Sequence, residues 1–140
     1  MELNPHKLLK VAGLGFLTWL LPLALSVFFY TKTGEPAVDI TFFKTIMIVL
    51  FGGFGTVLLA YYFKGVSEFY IFEGFFVGAA WLVINWIMDF LILLPINGMD
   101  ITTYFKEIGL RYILILIIAV SIGIAAEDAA GKSGKQNTIK

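Results

Sequence analysis

The residues able to do chemistry in an apolar setting are Asn85 and Asp89, carried by the uninterrupted stretch GFFVGAAWLVINWIMDFLILLP from Gly74 to Pro95. A carboxylate there can take up a proton, attract a cation or close an ion pair. Left alone in hydrocarbon it costs at least ~2.5 to 3.5 kcal/mol on insertion scales, so it needs a partner or water. Gly74, Gly78, Trp81, Asn85 and Asp89 follow at spacings of 4, 3, 4 and 4, which on a helix gathers small and polar groups on one stripe facing protein or an aqueous cavity. Two cations are expected near Asp89: Arg111, at the start of the last apolar run, and Lys44, in the first turn of the second. Asp89 stands 6 residues before Pro95, ~9 Å from the end of its helix. An Asp89 to Arg111 pair, with Asn85 one turn deeper, is the expected arrangement. Asn85, Asp89, Arg111 and Lys44 thus form the candidate intramembrane polar cluster. Glu73 is a separate charge toward the other end of the same helix, with Lys10 and Lys64 as its expected partners.

Other chemistries lack their residues. There is no H-E-x-x-H, no histidine and carboxylate cluster at metal-ligand spacing, no G-x-S-x-G and no phosphate-binding glycine loop. The chain has no cysteine, which removes disulfides, thiolate metal sites and thiol catalysis together. Its single histidine, His6, lies in the N-terminal segment and reads as a solvated side chain. Ser121 has no base near it in sequence. Asp100 and Glu107 stand 7 residues apart with Lys106 between them, the look of a solvated helix face. Trp81 and Trp86 could line a pigment or quinone pocket, although aromatic packing is the commoner use of such a pair. The expectation is a non-enzymatic protein with no metal and no cofactor. Ten basic and ten acidic residues cancel, leaving no field to recruit nucleic acid.

The elements that position these residues must be membrane helices. Of the 140 residues 59% are hydrophobic and 14% charged, with a mean hydropathy of +0.90, against ~25% charged in an ordinary soluble domain. The expected fold is all-α, a polytopic integral membrane protein built as a four-transmembrane-helix bundle. One domain over residues 1–128 holds helices at about 11–31, 41–63, 69–95 and 103–127, and residues 129–140 form a disordered polar tail. Val11 to Thr31 is 21 residues without a charge, enough for the ~30 Å hydrocarbon core and longer than the ~7 to 15 residues of a signal-peptide core. Pro5 is expected to stop any earlier helix and Pro22 to kink the first one. Lys32 to Ile40, KTGEPAVDI, is a turn outside the membrane. Tyr61, Tyr62, Phe69 and Tyr70 flank the Lys64 to Glu68 loop as an aromatic belt. Asp100 or Thr102 caps an amphipathic turn through Tyr104, Glu107 and Arg111 that is expected to run straight into the fourth helix. Only 15 uncharged residues separate Arg111 from Glu127, so at least one of these charges sits within the membrane's edge.

Charge distribution sets the orientation. Lys7, Lys10, Lys64, Lys132, Lys135 and Lys140 fall on one side and Lys32, Lys44, Lys106 and Arg111 on the other, six to four. The positive-inside rule then puts both termini in the cytoplasm, with the cell membrane as the expected location. Gly15, Gly52, Gly55 and Gly78 are the candidate helix-packing positions, and with Gly13 they offer small-residue surface for a homo-oligomer or a larger membrane complex in the lipid bilayer. The function expected is that of a structural or accessory membrane component, its buried charges clamping helices together. The alternative is a small ion or proton channel or transporter using a polar cavity around Asn85, Asp89 and Arg111.

Overall fold

The computed structural model describes the backbone of residues 4–137 and the side chains of residues 4–133. Among these residues the fold is all-α, and four helices are long and apolar enough to cross a membrane: Pro5–Phe29, Ile40–Phe63, Tyr70–Asn97 and Gly109–Ser133. This is the architecture of a multi-pass membrane protein.

The first helix, α1 (Pro5–Ser26), begins six residues before the expected Val11. Pro5 starts the helix instead of stopping it, because at the first helical position its missing N–H has no partner to lose. The Asn4 side chain caps the turn by accepting from the Lys7 amide at 2.8 Å. The helix continues through Pro22 and closes in a 3-10 turn, Val27–Phe29. After a tight turn at Gly34 (φ +82°), α2 (Ile40–Phe63) opens on Asp39, whose side chain accepts from the Thr41 and Phe42 amides at 2.9 and 3.1 Å.

The third span starts as α3 (Tyr70–Met88) and widens into a π-turn at Asp89–Leu93 before α4 (Leu94–Asn97). Pro95 accounts for the widening. Its ring would collide with the carbonyl four residues earlier, and it has no N–H to give. The π-turn relieves this, with the Leu94 amide donating back to the Asp89 carbonyl. At its other end the α3 helix is capped by the last span, since the Tyr70 amide donates to Glu127 Oε2 at 3.0 Å.

Two expectations about the fourth span are corrected. The amphipathic segment does not run straight into it: α5 (Ile101–Glu107) ends at Ile108 (φ −132°), a 3-10 turn follows at Gly109–Tyr112, and only then does α6 (Ile113–Asn137) begin. Gly109 makes the fold-back possible, because a Cβ there would sit 2.7 Å from the rings of both Tyr104 and Phe105. Second, residues 129–137 continue the helix instead of forming a structureless tail. Ala125, Ala126, Ala129 and Ala130 explain it, alanine being the strongest helix former. Residues 138–140 of the expected tail lie outside the described residues.

In the packed bundle α3 runs against α6 along most of its length and against α1, while α2 packs on α1 and α6 and scarcely meets α3. The α3–α6 seam is made by small residues on both sides, Gly74 and Gly78 of α3 facing Ala119, and Gly123 of α6 facing the backbone of Tyr70 and Ile71. A Cβ on Gly74 would run into the Ala119 carbonyl, and one on Gly123 would come within 2.5 Å of the Tyr70 carbonyl. That backbone approach needs the small-xxx-small spacing. Val77, Trp81, Leu59, Tyr62 and Ile115 form the buried center. Phe28, Leu9, Leu91, Val49 and Val57 stand exposed on the outer faces, an apolar surface suited to lipid chains.

Candidate functional site

Asp89 opens the π-turn and is 1% exposed. Trp19 of α1 donates its indole N–H to Oδ1 at 2.8 Å, and Tyr104 of α5 donates its hydroxyl to Oδ2 at 2.8 Å. The Tyr112 hydroxyl is turned toward the same carboxylate. Burial, and then the adjacent Asp89 carboxylate, hold the Tyr104 phenol well above its ordinary value, so it stays a donor. Both oxygens of Asp89 are therefore filled by neutral donors from two other segments.

The expected pairing with Arg111 is not what forms. The fold-back at Gly109 brings Tyr104 to Asp89 and leaves Arg111 in the 3-10 turn, half-buried on a cavity wall and without an ion pair to any described residue. Lys44 is not a partner of Asp89 either. It pairs with Glu107 at 3.2 Å, both side chains partly exposed at 36% and 41%, a setting in which ion pairs contribute ~0 to 1 kcal/mol. Glu107 is thus tied across the bundle, whereas Asp100 caps α5, accepting from the Thr103 hydroxyl at 2.6 Å and its amide at 3.1 Å.

Asn85 is fully buried one turn from Asp89. Its Nδ2 donates to Thr18 Oγ1 and to the Trp81 carbonyl, each at 2.8 Å. Its Oδ1 has no partner among the described residues. Further along the helix, Trp81 donates its indole N–H to the Val11 carbonyl at 2.9 Å. Trp81, Asn85 and Asp89 thus tie α3 to α1 on successive turns. Trp86 reaches the other way and donates to the Gly109 carbonyl at 3.0 Å, pinning the fold-back. Neither tryptophan lines an open pocket here.

Glu73 is 3% exposed at the opposite end of α3. Its partners are Lys7, in an ion pair, and Tyr62, whose hydroxyl donates to Oε2 at 2.9 Å. Lys10 and Lys64 were the expected partners. The early start of α1 puts Lys7 on the helix and within reach, Lys10 instead lies over the rings of Tyr61 and Tyr62 at 5.1 and 5.4 Å, and Lys64 is exposed.

Each buried carboxylate borders a cavity. One of about 510 Å³ lies between α1, α2 and the end of α3, with Asp89, Arg111, Lys44 and Glu107 among its lining residues. The other, about 330 Å³, lies at the end carrying the first helical turn and is lined by Lys7, Lys10, Tyr62, Glu68 and Glu73. Between them Val77, Trp81 and Asn85 are completely buried. No group of three or more histidine and acidic side chains converges on a common metal position among the described residues.

The four glycines singled out from sequence face neighbours in the same chain. Gly15 meets Trp81 and Ile84, Gly52 meets Leu114, Gly55 meets Ile115, and Gly78 meets Leu116 and Ala119. Gly13 and Gly53 have nothing within 4 Å. Sequence reasoning missed Trp19, Tyr104, Tyr62 and Lys7 as partners of the carboxylates. One signal was available: buried carboxylates attract indole and phenol donors, and Trp19 sits one helical turn from Gly15, a candidate packing position.

No family model, curated protein or solved structure matches this chain.

Proposed function

We propose that the protein is a non-enzymatic, multi-pass structural or accessory component of a membrane, in which the buried polar groups hold the helices in register. The observation that carries this reading is the closure of Asp89, buried with a donor on each oxygen, one from α1 and one from α5. A carboxylate held in this way acts as a joint among three segments, and at 1% exposure it is not open to a passing ion. Polar ties between membrane helices contribute ~0.6 kcal/mol on average, more where breaking one leaves a buried charge uncompensated. The reading places the chain in the cell membrane with both termini cytoplasmic, its exposed apolar faces meeting lipid and other membrane proteins. Purified protein in liposomes is expected to leave imposed proton, sodium and potassium gradients intact, and Asp89→Asn to lower thermal stability in detergent. Gradient dissipation that Asp89→Asn abolishes at unchanged stability would overturn the reading.

A second reading, a small ion or proton pathway, is favoured by one observation: Asn85 Oδ1, at mid-bundle between two cavities that each border a carboxylate, has no donor among the described residues. Ionisable groups within membrane spans mark such pathways often. The same gradient panel decides between the two.

A further inference from the structure

We propose that the larger cavity binds an amphiphile with an anionic head, its phosphate or carboxylate on Arg111 and its chain against Leu23, Phe43, Met47 and Ile92. The proposal does not rest on the structural role above, since it holds whether or not the bundle conducts.

The packing of the four spans creates the space. Because α2 rests on α1 and α6 and scarcely meets α3, the end of the third span stands away from it, leaving about 510 Å³. Ligand cavities run from ~300 to 1,000 Å³ and combine a mostly apolar wall with a few placed polar groups. Here Leu23, Phe43, Met47, Ile48 and Ile92 supply the apolar wall.

Availability of charge selects the ligand's sign. Asp89 borders the cavity but is 1% exposed with both oxygens engaged, so it does not offer itself to a cation. Glu107 is held by Lys44 at 3.2 Å. That leaves Arg111, half-buried in the cavity wall and with no ion pair among the described residues. Lys44 and Arg111 balance Asp89 and Glu107 in formal charge, and of the four only Arg111 has no bonded partner among the described residues. A guanidinium matches the oxygens of phosphate or carboxylate in two parallel hydrogen bonds. Partial burial also costs it hydration, a loss that a bound anion offsets. Position agrees with this assignment: the cavity lies at the helix ends, at the depth where headgroups sit.

The test uses the full chain in a neutral detergent, with dodecyl phosphate, dodecanol and inorganic phosphate as probes in a thermal-shift titration. Dodecyl phosphate is expected to raise the melting temperature saturably, and dodecanol and inorganic phosphate to bind roughly tenfold more weakly or worse. Arg111→Gln should weaken dodecyl phosphate by roughly tenfold, with Arg111→Lys in between. Met47→Trp, which fills the chain site without touching the charges, should weaken it too. Equal affinity for dodecanol, equal affinity for inorganic phosphate, or indifference to Arg111→Gln in a variant that still unfolds cooperatively would each overturn the proposal. Native mass spectrometry of protein extracted with its lipids then identifies the source. A retained anionic phospholipid, or another retained anionic amphiphile, lost in Arg111→Gln supports the assignment, and retention of neutral lipid alone contradicts it.

Discussion

At the scale of the residue, Asp89 shows what a buried carboxylate in this bundle needs. Tyr104→Phe leaves Oδ2 without its donor, and Trp19→Phe does the same to Oδ1, each expected to cost ~1 to 3 kcal/mol in detergent unfolding. Asp89→Asn and Tyr104→Phe should couple by ~1 kcal/mol or more in a double-mutant cycle, whereas Asp89→Asn and Arg111→Gln should simply add. Coupling to Arg111 in place of Tyr104 would contradict the geometry. The demand for a partner was legible in the sequence, because a charge within an apolar stretch cannot stand alone and the stripe from Gly74 to Asp89 already pointed inward. The identity of the partner was not. Trp19 lies 70 residues away and Tyr104 lies 15 away across a chain reversal, and both are neutral, so charge matching pointed to Arg111 instead.

At the scale of the element, backbone chemistry decided more than apolar length did. Gly74→Leu and Gly123→Leu drive a side chain into a facing backbone and are expected to destabilise by at least ~1 to 3 kcal/mol. Gly13→Leu and Gly53→Leu, with nothing within 4 Å, should change the monomer's unfolding little. The cap of α5 carries its own pH dependence. Bonds from the Thr103 hydroxyl and amide hold the exposed Asp100 carboxyl below its ordinary value. With the folded value depressed, the cap contributes fully above the unfolded carboxyl value of ~3.9 and fades as pH falls below it. Exchange at the Thr103 amide, corrected for its intrinsic rate, should therefore speed up as pH falls below about 4. The four spans could be read from length and composition, and Asp100 as a cap from its place before Ile101. The helical start at Pro5, the π-turn ahead of Pro95 and the fold-back at Gly109 could not, because each depends on where a missing N–H or Cβ falls relative to a neighbour that only the fold supplies.

At the scale of the whole molecule, the bundle has a closely packed center between two cavities, one bordered by Asp89 and one by Glu73. Glu73 and Asp89 are sixteen residues apart on one helix, about 24 Å. The side chains that tie α3 to α1 between them, Trp81 and Asn85, are fully buried. The proposed clamp role stands on this separation, and the anionic-ligand site lies wholly on the Asp89 side of it. Fusions of a reporter at residue 137 and in the Lys32 to Ile40 loop are expected to report the cytoplasm for the first and the opposite side for the second. The most direct test of the closed center is solvent access along α3. Since the chain has no cysteine, single thiols can be placed at Asn97 and Glu68, which line the two cavities, and at Val77 and Leu82 between them, 0% and 9% exposed. A water-soluble maleimide applied to both faces of open membranes should label Asn97→Cys and Glu68→Cys and spare Val77→Cys and Leu82→Cys. Labelling of the two central positions as fast as the cavity positions would mean a continuous aqueous path and would contradict the account.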